Sequence, residues 1–336
     1  MLADKRWIFN LDEEEISEIN HALETIRQKK IPWQKITKED FPLERLSKKL
    51  SEISQELEYG SGLASLRGLA VGSYDDIDLR RLWFGLGLHL GSPLYQDCNG
   101  LLMRDICDER QDTDTLFKHQ LQTESGERFV SSKARTLSNQ KLRFHTDRCD
   151  VVSLLCVRQA VQGGISKIAS STAVHNAILE SRPDLIKHLY APFYRSRLGE
   201  EKWGETQTYS LPIFGVHNGN FTSHYSRTYI EAAQEMESVP RMSDAQWEAI
   251  DLLHETAESL CFEMSFAPGD MQFLNNHVIY HARTAFEDDV SKGTKGRLLL
   301  RLWLSMPNSR ALPEDHSVLW KNTDGGSLRG GIGQAE

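Results

Sequence analysis

No stretch of this chain reaches the roughly 18 consecutive apolar residues that a membrane-spanning helix needs, so a membrane partner is not expected. The opening MLADKRWIFNLDEEE lacks a basic n-region followed by an apolar h-region, so an export signal is not expected either. Paired cysteines are missing too. The five present (Cys98, Cys107, Cys149, Cys156, Cys261) are odd in number and show no CxxC spacing, which points to a reducing, cytoplasmic setting. Cys149 lies two residues past Asp147 and is read as a buried, inert thiol rather than a soft-metal ligand. Positive charge is short: the net charge of −9 makes nucleic acid an unlikely partner. No internal repeat and no domain-scale linker is visible. With 336 residues and a hydrophobic fraction of 39 %, the chain reads as a single domain over 1–336 with enough apolar material for a sizeable core.

What is present alternates between helical and strand periodicity. Ile16, Ile19, Leu23 and Ile26 mark an amphipathic helix over 12–29, with acids early and bases late to suit the helix dipole. Leu46, Leu50, Ile53 and Leu57 mark a second over 43–58, and 1–62 reads as an N-terminal helical elaboration. A strand over 66–71 and a helix over 77–90 follow. Residues 109–141 are polar and aperiodic, the character of a lid, with a basic end at 133–143; 195–208 is a second such stretch. Val151–Val157 is almost wholly apolar and reads as a buried strand, with further strands at 165–168, 209–216, 262–266, 271–275 and 297–304. Asn218-Gly219 signals a hairpin turn. Ser170 to Thr172 supply an N-cap for a helix at 173–180, another helix runs from Pro183 to near Tyr190, and Ser243 to Gln246 form a capping box opening a helix to about 259. Residues 306–336, rich in Pro, Gly and Ser, read as a surface tail.

The chemistry concentrates in Phe144-His145-Thr146-Asp147 and in FLNNHVIYHARTAFED at 273–288. A strand over 142–148 would place His145 and Asp147 on one face. His281 is the candidate third ligand. Two histidines and one carboxylate on one side of an octahedral ion leave three positions open, as in non-heme Fe(II) oxygenases. In Lys295–Leu304, Arg297 and Arg301 lie four apart in an apolar run, where a guanidinium is costly to bury without an anionic partner.

These features, with GGISKIASS at 163–171, resemble the taurine dioxygenase (TauD/TfdA)/clavaminate synthase-like group of Fe(II)- and 2-oxoglutarate-dependent oxygenases, over roughly Leu66 to Leu304. The resemblance implies a mainly β fold with flanking helices, a double-stranded β-helix or cupin-like jelly roll, which the run of short strands also suggests. It implies Fe(II) on His145, Asp147 and His281, with 2-oxoglutarate and O2 as co-substrates and succinate and CO2 released. Arg297 and Ser166 would hold the far carboxylate of 2-oxoglutarate, with Arg301 either a second clamp on it or an anchor for an anionic substrate. Related halogenases have a small residue at the carboxylate position, so Asp147 favours hydroxylation or desaturation.

Gln96, Tyr225, Arg227 and Asn276 are the candidate substrate-facing residues. The basic 133–143 segment suggests a small, carboxylate-bearing metabolite as partner. Two other classes stand beside the oxygenase: a Zn-dependent hydrolase or lyase on the same triad, and a non-catalytic cupin-like binding protein. Neither accounts as well for two arginines beside the third ligand. Oligomeric state leaves no mark in the sequence.

Overall fold

The computed structural model describes residues 5–109, 120–122, 128–130, 136–197, 205–289 and 295–333. Two sheets carry the fold. The larger runs Ile8–Asn10, Leu63–Arg67, Met271–Asn275, Val151–Arg158 and Leu298–Ser305; both Ser92–Pro93 and Met103–Ile106 pair with the last of these. The smaller runs Phe262–Met264, Ser166–Ser170, Ile279–Arg283 and Leu142–His145. Apart from a parallel first pair, the neighbours are antiparallel.

Strand alternation explains both layers of packing. In Leu298–Ser305, Leu300, Leu302 and Leu304 join the helix-side core, together with Ile19, Leu23, Leu50, Leu57 and Trp83. The residues between them, Leu299, Arg301 and Trp303, point inward. Met271–Asn275 divides the same way: Met271 and Phe273 face the helices, while Leu274 joins Leu63, Val152 and Trp303 against Ile168, Met264 and Ile279 of the smaller sheet. Helices Ser171–Ser181 and Asp244–Leu260 cover the other side of the smaller sheet, over Phe144, Ala169 and Tyr280. The result is a double-stranded β-helix flanked by helices.

Several expected local features are present. Helix Glu13–Lys29 opens with a capping box from Asp12 and Glu15, and Asp244–Leu260 with one from Ser243 and Gln246. Ser170 caps Ser171–Ser181 by accepting from Ala173 N–H. Strands Phe214–His217 and Asn220–Ser223 meet at Asn218 and Gly219, both at positive φ, as a two-residue hairpin requires.

Other expectations need correction. The N-terminal elaboration is not only helical, because Ile8–Asn10 adds an edge strand to the larger sheet. The second expected lid begins and ends in paired strands, Pro192–Ser196 with Thr208–Pro212, with 198–204 outside the described residues. The first expected lid, 109–141, lies in large part outside them too. The surface-tail reading of 306–336 fails over its described part. Trp320, Arg329 and Ile332 are buried, and the segment is tied in where Gly331 N–H donates to Arg148 O (2.7 Å) and Ile332 N–H to Tyr95 O (2.8 Å). Gly330, Gly331 and Gly333 in this segment all take positive φ, a backbone conformation that favours glycine.

Candidate active site

The two histidines face each other across a strand pair. His145 and His281 are register partners on Leu142–His145 and Ile279–Arg283, with ring centroids 4.2 Å apart. Asp147 reaches them differently from the expected strand geometry, because the strand ends at His145. Asp147 stands in the turn that follows, where its N–H donates to Asn276 Oδ1 (2.9 Å) and its Oδ2 accepts from Trp303 Nε1 (3.0 Å). The turn is held further by Thr146, whose N–H donates to Tyr225 O (2.8 Å) and whose Oγ1 accepts from Tyr225 N–H (3.1 Å).

One ligand atom from each of His145, Asp147 and His281 lies within 4.8 Å of the others, the spacing of a set around one ion. His145 Nε2 is 3.8 Å from Asp147 Oδ1 and His281 Nε2 is 3.7 Å from Asp147 Oδ2. His145 Nδ1 lies 2.9 Å from Arg143 O; as the donor there it leaves Nε2 as the lone-pair nitrogen facing the carboxylate. Burial pushes both imidazoles down, His281 to about 3, which keeps them neutral as ligands must be. Burial alone would raise Asp147, but the nearby Arg301 guanidinium, helped by the Trp303 N–H, outweighs it and holds the carboxyl below the usual range. Two imidazoles and an ionised carboxylate on one side of a site with open directions fit Fe(II).

Two cavities meet at His145, Asp147 and Arg301, with His281 on the inner one. The inner one is lined by His145, Asp147, His281, Ser166, Gln272, Arg297 and Arg301, with apolar walls from Ile106, Val152, Leu154, Phe266 and Leu299. Arg297 is 4 % exposed, stacks over Phe286 at 5.1 Å, and its Nη1 has no hydrogen-bond partner among the described residues. A buried guanidinium with an open donor facing a cavity is a place for an anion. Ser166 Oγ, 3.5 Å from Gln272, is only weakly engaged. Paired glycines make the approach: a Cβ on Gly163 would lie 2.1 Å from Ala285 O, and one on Gly164 would lie 3.0 Å from Arg297 Nε.

The outer cavity lies on the other side of His145 and Asp147. His145, Asp147, Arg301 and Trp303 form its floor, and Arg104, Arg148, Arg197, Tyr209 and Tyr229 stand among its walls. Arg301 belongs to both cavities. Its Nε donates to Gln96 Oε1 (2.8 Å), its Nη1 is 3.6 Å from Asp147 Oδ2, and it lies over the Trp303 ring at 4.8 Å.

Of the residues expected to face substrate, Gln96 lines the outer cavity, but its side chain is committed to Arg301 Nε and to the carbonyls of Leu102 and Arg301. Asn276 is buried behind the metal loop, with Nδ2 donating to Cys149 Sγ (3.1 Å); it orients Asp147 rather than meeting substrate. Tyr225 and Arg227 reach neither cavity. Tyr225 is fully buried against Tyr280, and Arg227 pairs with Glu231 and Asp251. Cys149 is the inert thiol expected, with burial raising its pKa well above the ordinary value.

Sequence reasoning missed Trp303, although the alternation that turns Arg301 inward turns Trp303 inward two residues later. It also missed Gln272, inward-facing by the same rule, and the outer arginines, for which no periodic signal exists. Behind the metal loop, Asp150 accepts from His277 Nε2 (2.9 Å), Arg329 Nε (2.8 Å) and Met306 N–H (2.9 Å), joining three separated parts of the chain.

Comparison with known proteins gives a consistent family picture. The family described as "Taurine catabolism dioxygenase TauD, TfdA family" matches residues 27–303. "FR-33289 synthase" of Streptomyces rubellomurinus is 30 % identical over 324 residues, 93 % of this chain and 89 % of that protein. "Taurine hydroxylase-like protein SAT17" of Stachybotrys chartarum is 30 % identical over 89 % of this chain and 75 % of its own length. Among solved structures, asparagine oxygenase with Fe(II), 3-hydroxyasparagine and succinate superposes with a TM-score of 0.65 at 15 % identity, covering 96 % of this chain and 100 % of that one. The non-heme iron oxygenase OrfP with Fe and alpha-ketoglutaric acid gives 0.63 at 17 % identity, over 89 % and 94 %.

Proposed function

Because the chain belongs to the TauD/TfdA family of 2-oxoglutarate-dependent non-heme iron oxygenases, we propose that it hydroxylates, or desaturates, a small anionic metabolite held in the outer cavity. The observation that carries this reading is the meeting of two unlike cavities at His145, Asp147 and Arg301, one with mostly apolar walls and ending on Arg297, the other lined by arginines.

Bound Fe(II) would supply the oxidising chemistry, with O2 and the decarboxylation of 2-oxoglutarate to succinate and CO2. The protein's own part is orientation and exclusion of water. His145 and His281 offer neutral imidazoles, Trp303 and Arg301 fix the Asp147 carboxylate, and Asn276 holds the Asp147 backbone N–H. Arg297, with Ser166 beside it, takes the far carboxylate of 2-oxoglutarate, and the apolar inner walls keep bulk water from that pairing. Arg301, already tied to Gln96 and Asp147, braces the metal carboxylate on the substrate side.

The asparagine oxygenase and OrfP structures hold hydroxylated amino acids, 3-hydroxyasparagine and 3-hydroxyarginine. The outer cavity here is charged otherwise: among the described residues four guanidiniums (Arg104, Arg148, Arg197, Arg301) line it, against one acidic lining residue, Asp147, itself a proposed metal ligand. That balance favours a substrate with net negative charge over an amino acid whose ammonium group needs a carboxylate.

The test is succinate formation by the purified protein with Fe(II), ascorbate and 2-oxoglutarate, first without any added substrate. Slow uncoupled turnover, absent in His145→Ala and Asp147→Ala, is the expected result. No succinate, together with no 2-oxoglutarate binding to the metal-loaded protein, would return the chain to the hydrolase or binding-protein readings.

A further inference from the structure

The four cavity arginines are not equivalent. Arg104 has its own carboxylate in Asp97 (2.8 Å), and Arg301 is beside Asp147. Arg148 and Arg197 share one: Arg148 Nη2 and Arg197 Nη1 each lie 3.5 Å from Glu205, long for a charge-assisted hydrogen bond. Both guanidiniums are nonetheless fixed in place. Arg148 Nε donates to Leu319 O (3.1 Å). Arg197 Nε donates to Thr206 O (3.0 Å) and its Nη2 to Val318 O (3.3 Å), with its plane over the Tyr209 ring at 4.7 Å. Arg197 is 6 % exposed, and beyond the long approach to Glu205 its Nη1 makes no hydrogen bond among the described residues. A buried and a half-buried cation thus share, among the described residues, one carboxylate at long range, with donor capacity left over for an anion.

The geometry points to Arg148 and Arg197 as an oxoanion subsite that receives the acidic group of the substrate, a phosphonate, sulfonate or carboxylate, at a wall of the outer cavity. This deepens the proposed function and rests on its placing substrate in that cavity. The substrate is thus held by its acidic end while another part of it lies over the metal floor. Glu205 has two parts in this arrangement. It keeps the two guanidiniums from repelling one another when the subsite is empty, and it competes with the incoming anion when the subsite fills.

The subsite is tested by calorimetric titration of the anaerobic protein loaded with Fe(II) and 2-oxoglutarate, so that the inner site is taken. The probes are propylphosphonate, butyrate and the neutral isostere butyramide. Saturable binding of one or both anions and none of butyramide is expected, the tighter anion naming the preferred oxoanion. Arg197→Met and Arg148→Met should each weaken the anion by roughly tenfold or more, one charge-assisted hydrogen bond's worth, with 2-oxoglutarate affinity unchanged. Glu205→Gln should tighten it severalfold, a gain that a misfolded variant does not produce. Butyramide binding as well as the anions, no anion binding to the wild type, or anion affinity unmoved by Arg197→Met and Glu205→Gln would overturn the subsite. Anion binding by a wild type that forms no succinate would leave the subsite standing and remove the oxygenase reading instead.

Discussion

Replacing Arg297 by Met separates two effects that are usually entangled. In the free protein this guanidinium is buried, burial pushes its pKa down, and Nη1 lacks a hydrogen-bond partner among the described residues. Its role is therefore latent, awaiting an anion. Once a carboxylate is bound, removing the buried cation opposite it costs about 3–5 kcal/mol. At 1.4 kcal/mol per decade, the dissociation constant for 2-oxoglutarate should rise by roughly a hundred- to a few thousand-fold. The free protein should respond the other way. Methionine fills much of the same volume with no charge to desolvate, so the thermal midpoint without 2-oxoglutarate should hold or rise. Anaerobic calorimetric titration of 2-oxoglutarate into the Fe(II)-loaded variant reads the first effect, and thermal unfolding the second. Metal affinity serves as control, since Arg297 touches no ligand residue. A 2-oxoglutarate affinity within about threefold of wild type, under 1 kcal/mol, would refute the assignment and transfer the carboxylate to Arg301.

Three further outcomes follow from the surroundings of the triad. Asn276→Ala removes the acceptor that fixes the Asp147 N–H, and supporting contacts of this kind are worth about 10–100-fold in metal affinity, measurable by competition with a chelator. Trp303→Phe deletes the donor to Asp147 Oδ2 at nearly constant shape and should weaken the metal in the same range while sparing 2-oxoglutarate binding. His277 provides a pH test. Burial lowers it to about 4 against an ordinary 6.5, so below pH 6.5 the unfolded chain binds a proton that the folded chain refuses. Stability should be insensitive to this group above pH 6.5 and fall by about 3 kcal/mol as pH drops from there toward 4. Unfolding midpoints across that window measure it, and His277→Gln should flatten that part of the curve.

The candidate metal ligands and Arg297 stand out in the sequence because each carries a local signature: a short His-x-Asp, a histidine closing an apolar strand, an arginine where the pattern demands an apolar residue; the structure brings His145, Asp147 and His281 together. Their geometry was less legible. Strand periodicity gave Asp147 a face to share with His145, yet the strand stops at His145, and the carboxylate is aimed by an asparagine 129 positions away in sequence. Tyr225 and Arg227 failed for a related reason. Nearness to a hairpin in sequence says nothing about which side of the smaller sheet a residue joins, and the pair went to the helical side. Arg148 and Arg197 have no pattern at all. What makes them part of the cavity is a set of backbone carbonyls contributed from residues 206, 318 and 319.

Those carbonyls also bear on why family membership leaves the substrate open. The family match ends at residue 303 and contains all three metal ligands, Ser166, Arg297 and Arg301. Beyond it, residues 304–333 supply Leu319 and Ile332 to the outer wall and carbonyls to Arg148 and Arg197, while Arg329 holds Asp150. On the proposed reading the oxidising chemistry rests on the shared part of the chain, whereas the shape and charge of the proposed substrate wall rest partly on a segment outside it. Changes in that segment should alter which anion is accepted while the uncoupled rate of succinate formation holds, provided Arg329 and its contact to Asp150 are kept. Exchanging Leu319 or Ile332 for larger apolar residues is the direct check. Substrate-stimulated turnover should change and the unstimulated rate should not; an equal fall in both would mean that the segment supports the metal loop and has no separate part in selecting substrate.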